Sequence, residues 1–236
     1  GRTFACGGCW AAASGSANLR FVHKLAPLAL IALLAACSPR NGLEPIPSDD
    51  DDSASAGTCS AADNGWPGIL AEYADYEGEG AQTGDYLTNF ELADQNDNAM
   101  CLSQLLGNVL IVDASTRWCG PCNEAAAESA ALWEEMKHIG PSYIATLMVQ
   151  DGAGGPATLD DVEWWVNTYN IEYPVVRDEA GATATSWGGT SYPLFLFVAP
   201  TGEVIQRLEQ KPTDSDVLEF VEFAVEEWAD ELRQSD

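Results

Sequence analysis

Hydrophobic positions fall in blocks from residue 66 onward, and the block spacing changes from period two to period 3.6 and back. Val109-Leu110-Ile111-Val112 is an unbroken apolar run, the pattern of a strand buried on both faces. Residues 119–139 then bring Ala126, Ala130, Leu132, Trp133 and Met136 to near-helical spacing, with Gly140-Pro141 as the stop. Residues 143–149 read as a second buried strand. Leu159–Tyr169 reads as a second helix with Val162, Trp165, Val166 and Tyr169 on one side. Ahead of this core, residues 89–93 and 100–102 flank the polar turn Asp94-Gln95-Asn96-Asp97-Asn98 as a hairpin. Behind it, residues 194–198 and 203–208 close a second hairpin around Pro200-Thr201-Gly202. A last helix over 214–232 lines up Val217, Leu218, Val221, Val225, Trp228 and Leu232. Hairpin, strand, helix, strand, helix, hairpin, helix predicts an α/β domain over 66–236, with a sheet covered by helices. The stretches 152–156 and 178–190 read as loop insertions, and no internal repeat is present.

The first third has a different character. Arg20 and Lys24 precede an apolar run at 25–36 that ends Leu34-Ala35-Ala36-Cys37. A basic flank, twelve apolar residues and small residues form the tripartite pattern of a secretory signal, too short to cross a bilayer as a helix. The ending resembles the bacterial lipobox, which implies lipidation of the Cys37 thiol. Ser38 stands where an Asp would signal inner-membrane retention in enterobacteria, so an outer-membrane destination is favoured. Residues 1–36 are thus read as an extension plus lipoprotein signal. Cys6 and Cys9 have redox or metal spacing but lie in a Gly- and Ser-rich stretch that would leave with the signal. Residues 37–65, with three prolines and the run Asp49-Asp50-Asp51-Asp52, read as a solvated, lipid-anchored acidic tether.

Charge narrows the choice of partners. The 236 residues carry 37 acids and 10 bases, a formal net charge of −27, and none of the acids precedes Cys37. Such a chain repels polyanions, which excludes nucleic acid as a partner. The acid-rich last helix reads either as a solvated face or as a docking face for a basic redox partner.

The candidate chemistry is Trp118-Cys119-Gly120-Pro121-Cys122, where two cysteines open a helix directly after a buried strand. At a helix amino terminus, unpaired N–H groups and the dipole stabilise a thiolate on Cys119. Cys122, one turn further in, is placed to resolve a mixed disulfide. Pro121 is tolerated because the first turn has no intrahelical acceptor to lose. A zinc site needs a second ligand pair; Cys59, Cys101 and His138 do not form one, so no metal is expected.

The run from Val109 through Cys122 resembles the active-site strand and helix start of the thioredoxin superfamily. With the extra amino-terminal hairpin and the export signal, the chain is similar, over about residues 85–233, to the membrane-tethered oxidoreductases of the TlpA and ResA kind. That resemblance implies a thioredoxin-like fold with a central mixed sheet. It makes Cys119 the nucleophile and Cys122 the resolving thiol. It also makes Asp113, six residues before Cys119, the buried acid that takes and returns the second thiol's proton, with a pKa raised toward neutrality. Pro193 matches the family's cis-proline, which packs against the disulfide and docks substrate backbone beside Tyr192. Trp118 matches the aromatic residue before the nucleophile. No cofactor is implied. The expected partners are protein dithiols and disulfides, including apocytochrome c thiols, and a membrane electron donor or acceptor. A departure is the missing lysine partner of the buried acid, since the second strand ends Met148-Val149-Gln150-Asp151.

Gly-Pro between the cysteines resembles the reducing members, which favours a reductase over a disulfide oxidase or isomerase, and a redox-inert binding module on the same fold is the rival reading of a different class. A peroxidase is a poorer fit, because its nucleophile usually sits in a Pro-rich stretch with a nearby Thr, and no terminal resolving cysteine is present. Once Cys37 is assigned to lipid and Cys119 to Cys122, Cys59 and Cys101 remain. They form either a structural disulfide tying tether to hairpin or two unpaired thiols.

Overall fold

The computed structural model describes residues 64–179 and 181–232. The signal, Cys6, Cys9, Cys37, Cys59 and nearly all of the tether lie outside the described residues. Seven strands form one mixed sheet: β1 (Glu91–Asp94), β2 (Ala99–Cys101), β3 (Val109–Thr116), β4 (Ser142–Gln150), β5 (Val175–Arg177), β6 (Leu194–Val198) and β7 (Val204–Leu208). Their spatial order is β2-β1-β5-β4-β3-β6-β7. β3, β4 and β5 run parallel, and the remaining pairings are antiparallel. The apolar run at 109–112 continues as a wholly buried strand to Thr116, which is why it lies inside the sheet with β4 on one side and β6 on the other.

Pleating sorts these strands onto two cores. Val109 and Ile111 of β3, Ile144 and Met148 of β4, and Phe195 and Phe197 of β6 pack beneath α1 (Gly120–Ile139), α2 (Leu159–Tyr169) and α4 (Asp214–Glu227). Leu110, Val112 and Ala114, with Leu147 and Leu196, face the other way against Leu87, Phe90, Leu102 and Trp187. α2 is pinned by a capping box in which the Thr158 hydroxyl and the Asp161 carboxylate each accept from the other's backbone N–H. α1 ends at Gly140, where a Cβ would stand 2.6 Å from Val225, so glycine lets α4 pass close by.

Three expectations are corrected, and one strand was not anticipated. The tether was expected to reach residue 65, yet Asn64 is buried, donating to the Ala99 carbonyl at 2.7 Å and exchanging amide bonds with Gln104 at 3.1 Å. The stretch 178–190 is not a loop insertion: it holds α3 (Ala182–Ser186), whose first N–H groups are taken by the buried Asp178 carboxylate, and it delivers Trp187 to the core. β5 was missed because three residues after Pro174 carry too little pattern. The last helix stops at Glu227, four residues after Phe223. Its final turn contains no base, and acids there oppose the helix dipole.

Candidate active site

β3 ends at Thr116, the Cys119 N–H bonds back to the Thr116 carbonyl at 3.2 Å, and α1 begins at Gly120 with Cys119 as its N-cap. Cys119 and Cys122 form a disulfide across a Cα separation of 5.2 Å. Cys119 Sγ accepts the Cys122 N–H at 3.2 Å, so the sulfur occupies the place a capping oxygen usually takes. That geometry favours negative charge on Cys119 once the bond is reduced. Cys122 is fully buried, while Gly120 and Pro121 are exposed.

The turn is held from behind by residues the sequence reading did not single out. Asn123 Nδ2 donates to the Cys119 carbonyl at 2.6 Å and to the Arg117 carbonyl at 3.1 Å, and the Tyr169 hydroxyl donates to Asn123 Oδ1 at 2.6 Å. The Arg117 guanidinium donates to Asp161 at 2.7 Å and lies over the Trp164 ring at 4.1 Å. Burial pushes the Asp161 carboxyl up, but hydrogen bonds from Thr158 and Arg117 outweigh it and hold the group below the usual carboxylate range. The signal that would have found this brace is positional: Asn123 lies one turn past Cys119 on the same helix, and Asp161 is an N-terminal capping residue facing the only cation of the turn.

Around the disulfide, Trp118 is 53% exposed, with its indole N–H bonded to Gln150 at 2.9 Å. The Tyr192–Pro193 peptide is cis, Pro193 is buried, and the Tyr192 carbonyl oxygen lies 3.5 Å from Cys119 Sγ. Cys119 Sγ therefore lies beside the Tyr192 carbonyl, with the exposed Trp118 next to it in the same turn.

Asp113 occupies the face of β3 that packs under the helices, and it is 6% exposed. Ser115 donates to Oδ2 at 2.5 Å and Thr146 to Oδ1 at 2.6 Å. Burial raises its pKa to about 6, with these two hydroxyls pulling the other way. The position directly opposite Asp113 on β4 is Thr146, so a neutral hydroxyl stands at the sheet position facing the acid. Reading only the end of β4 for a lysine missed this, because the cross-strand neighbour of Asp113 lies mid-strand. Beyond Thr146, the buried Tyr173 hydroxyl donates to Ser129 at 2.8 Å.

Cys101 is buried and disulfide-bonded. Among the described residues, no three His, Cys, Asp or Glu side chains gather as a metal site, and no helix is long and apolar enough to cross a membrane.

Comparison with known proteins adds three findings. A family model described as the AhpC/TSA family matches residues 83–207, from just before β1 into β7. The thiol-disulfide oxidoreductase ResA of Halalkalibacterium halodurans is 25% identical over 142 residues, 60% of this chain and 77% of that protein. ResA of Bacillus subtilis is 23% identical over 143 residues, 61% and 76% respectively. Among solved structures, a secreted thiol-disulfide isomerase from Corynebacterium glutamicum matches with a TM-score of 0.53 at 20% identity, covering 60% of this chain and 86% of that one. The last likeness concerns the fold, which is thioredoxin-like.

Proposed function

The chain belongs to the AhpC/TSA family and is a thiol-disulfide oxidoreductase of thioredoxin-like type, and from that premise we propose that it reduces protein disulfides in the bacterial cell envelope, tethered through lipid on Cys37. The observation that carries this reading is the disulfide spanning the N-cap and first turn of α1, beside the exposed Trp118 and the Tyr192 carbonyl.

In the reduced protein, the Cys119 thiolate attacks one sulfur of a substrate disulfide. That bond breaks, the substrate's other sulfur leaves as a thiolate, and a mixed disulfide joins Cys119 to substrate. Asp113 takes the Cys122 proton, the Cys122 thiolate attacks Cys119 Sγ, and the second substrate thiol is released. Two electrons have moved from Cys119 and Cys122 to the substrate, and a membrane donor must return them. Trp118, Tyr192 and Pro193 form the substrate's docking edge, with Gly120 and Pro121 keeping the turn low enough for protein approach. Disulfides of apocytochrome c, reduced to the thiols that take haem, are the substrate class that the ResA-like resemblance favours. Cys59 is the partner we assign to Cys101.

The test is the potential of the Cys119–Cys122 couple, measured in the full chain by equilibration with glutathione or dithiothreitol buffers, alkylation and mass spectrometry. A value near about −270 mV, the thioredoxin range, supports a reductase; one near about −120 mV means the protein makes disulfides instead. A Cys122→Ala protein that captured no mixed-disulfide partner from an envelope extract would point to a redox-inert binding module.

A further inference from the structure

Beneath α1 and α4 lies a cavity of about 30 Å³, room for about one water molecule. Asp113, Thr146 and Tyr173 line it at the sheet, Ser129 and Trp165 line it from the helices, and Lys211 and Asp214 stand at its more exposed end. None of the residues at the disulfide's exposed edge, Trp118, Gly120 or Tyr192, borders it.

A hydroxyl string runs along the lining. Thr146 donates to Asp113 Oδ1 at 2.6 Å, and further along the same lining the Tyr173 hydroxyl donates to Ser129 Oγ at 2.8 Å. The Trp165 indole N–H is buried and has no hydrogen-bond partner among the described residues. An apolar helix–sheet seam needs none of these groups, and a buried N–H without a partner is costly unless a water meets it.

We propose that this cavity is the proton port of the buried acid: Asp113 exchanges its proton with bulk solvent through the Thr146 and Tyr173 hydroxyls and water admitted between Lys211 and Asp214. The inference rests on the oxidoreductase reading above and assigns Thr146 and Tyr173 as positioning residues. The transfer balances. Protonated Asp113 passes a proton to the Thr146 oxygen, Thr146 passes its own to the cavity water, the water passes one to the Tyr173 oxygen, and Tyr173 passes its own on to water at the opening. Each hydroxyl gives one proton and takes one, and the reverse sequence reloads the carboxyl. Burial and the Asp113 charge push the Tyr173 hydroxyl well above its usual range, so it relays as a neutral group. The charged groups at the opening are Lys211, which pairs with Glu128, and Asp214, whose carboxyl is raised by burial and by Glu128 and Glu135. A protein docked over Trp118 and Tyr192 would leave this port open while the disulfide is covered.

Three measurements on the full chain decide the matter. In the wild type, the Trp165 indole proton, assigned with Trp165→Phe, gives a cross-peak to water; a dry indole overturns the proposal. Mixed-disulfide resolution by Cys122, followed from pH 5 to 8, slows about tenfold in Tyr173→Phe and in Thr146→Val and returns in Thr146→Ser. The carboxyl carbon of Asp113 titrates in Tyr173→Phe as in the wild type, because the hydroxyls that donate to it are retained. If the Tyr173→Phe profile superimposes on the wild type, the port is wrong. If the wild type forms no mixed disulfide, it is the oxidoreductase reading that fails, and the water contact still decides whether solvent reaches the cavity.

Discussion

Replacing Asp113 with Asn should make this protein more stable, and by an amount that depends on pH in a defined way. Burial raises the carboxyl's pKa to about 6 in the fold, against 3.8 for an aspartate in water. A raised acid pKa means that the folded state prefers the protonated form. The stability this preference contributes is fully present below pH 3.8, declines as pH rises from there, and is lost once pH has passed about 6. At pH 7 the carboxylate therefore destabilises the fold by about 3 kcal/mol, from roughly 1.4 kcal/mol per pKa unit. Asn removes that penalty. Its amide nitrogen must face one of the two hydroxyls that now donate to the carboxylate, Ser115 at 2.5 Å and Thr146 at 2.6 Å. Either hydroxyl can rotate to accept, so re-pairing takes back about 1 kcal/mol at most.

The assay is urea unfolding of the oxidised wild type and Asp113→Asn proteins at intervals from pH 3.5 to 8. Many other carboxyls titrate over this range, and the difference between the two proteins cancels them. The difference should stay near zero or slightly favour the wild type at pH 3.5, grow through pH 4 to 6, and level off at about 2 to 3 kcal/mol in favour of Asn above that. Curves that run parallel across the whole range would refute the reasoning, because they would mean that burial does not hold this carboxyl protonated. The same variant should resolve mixed disulfides more slowly, so stability and turnover should move in opposite directions.

Other expectations can be checked directly. Cys122→Ala should accumulate mixed disulfides on Cys119 that non-reducing gels detect and dithiothreitol releases, whereas Cys119→Ala should accumulate none. Asp161→Ala should lower stability by about 2 kcal/mol in urea unfolding near neutral pH, since it removes the Arg117 ion pair and half of the α2 capping box. Because the Asp161 pKa is lowered in the fold, that loss should shrink as pH falls below the ordinary carboxylate range. Gly78→Ala should cost about 2 kcal/mol or more, because Gly78 has φ +67° and a Cβ there would collide with the Leu87 backbone carbonyl. Peptide mapping without reductant should recover Cys101 joined to Cys59; finding Cys59 freely alkylated would remove that assignment.

The Cys119–Cys122 disulfide was legible because its pattern is local. Strand, turn and helix start lie within fourteen consecutive residues, and the apolar run, the two cysteines and Pro121 each point to the same element. The main helices were legible because eleven or more residues of periodic pattern, with caps such as Thr158, leave little ambiguity. What was not legible is what depends on pairing across distance. That Thr146 stands opposite Asp113 is a fact of register between β3 and β4, thirty-three residues apart in the chain. The brace of Arg117, Asp161 and Trp164 requires α2 to lie against the active-site turn. β5 and α3 are short enough that tertiary packing alone selects them, and the glycines and Pro174 around them read as loop.

The surroundings of Asp113 separate a working site from a core that merely fills space. β3 presents Val109, Ile111 and Asp113 to the same helices, and over Asp113 helix α1 offers Ala125, Ala126 and Ser129 where its later turns offer Trp133 and Met136. Those small residues leave the 30 Å³ cavity in place of close packing. The ionised carboxyl alone costs the region about 3 kcal/mol at neutral pH, a sizeable share of the roughly 5 to 15 kcal/mol that holds a typical domain together. Leucine in place of Asp113 would recover much of that. Keeping an acid, three hydroxyls and an indole N–H around one small space is costly packing, and it fits the proposed cycle, in which the acid gains and loses a proton each time Cys122 resolves a mixed disulfide.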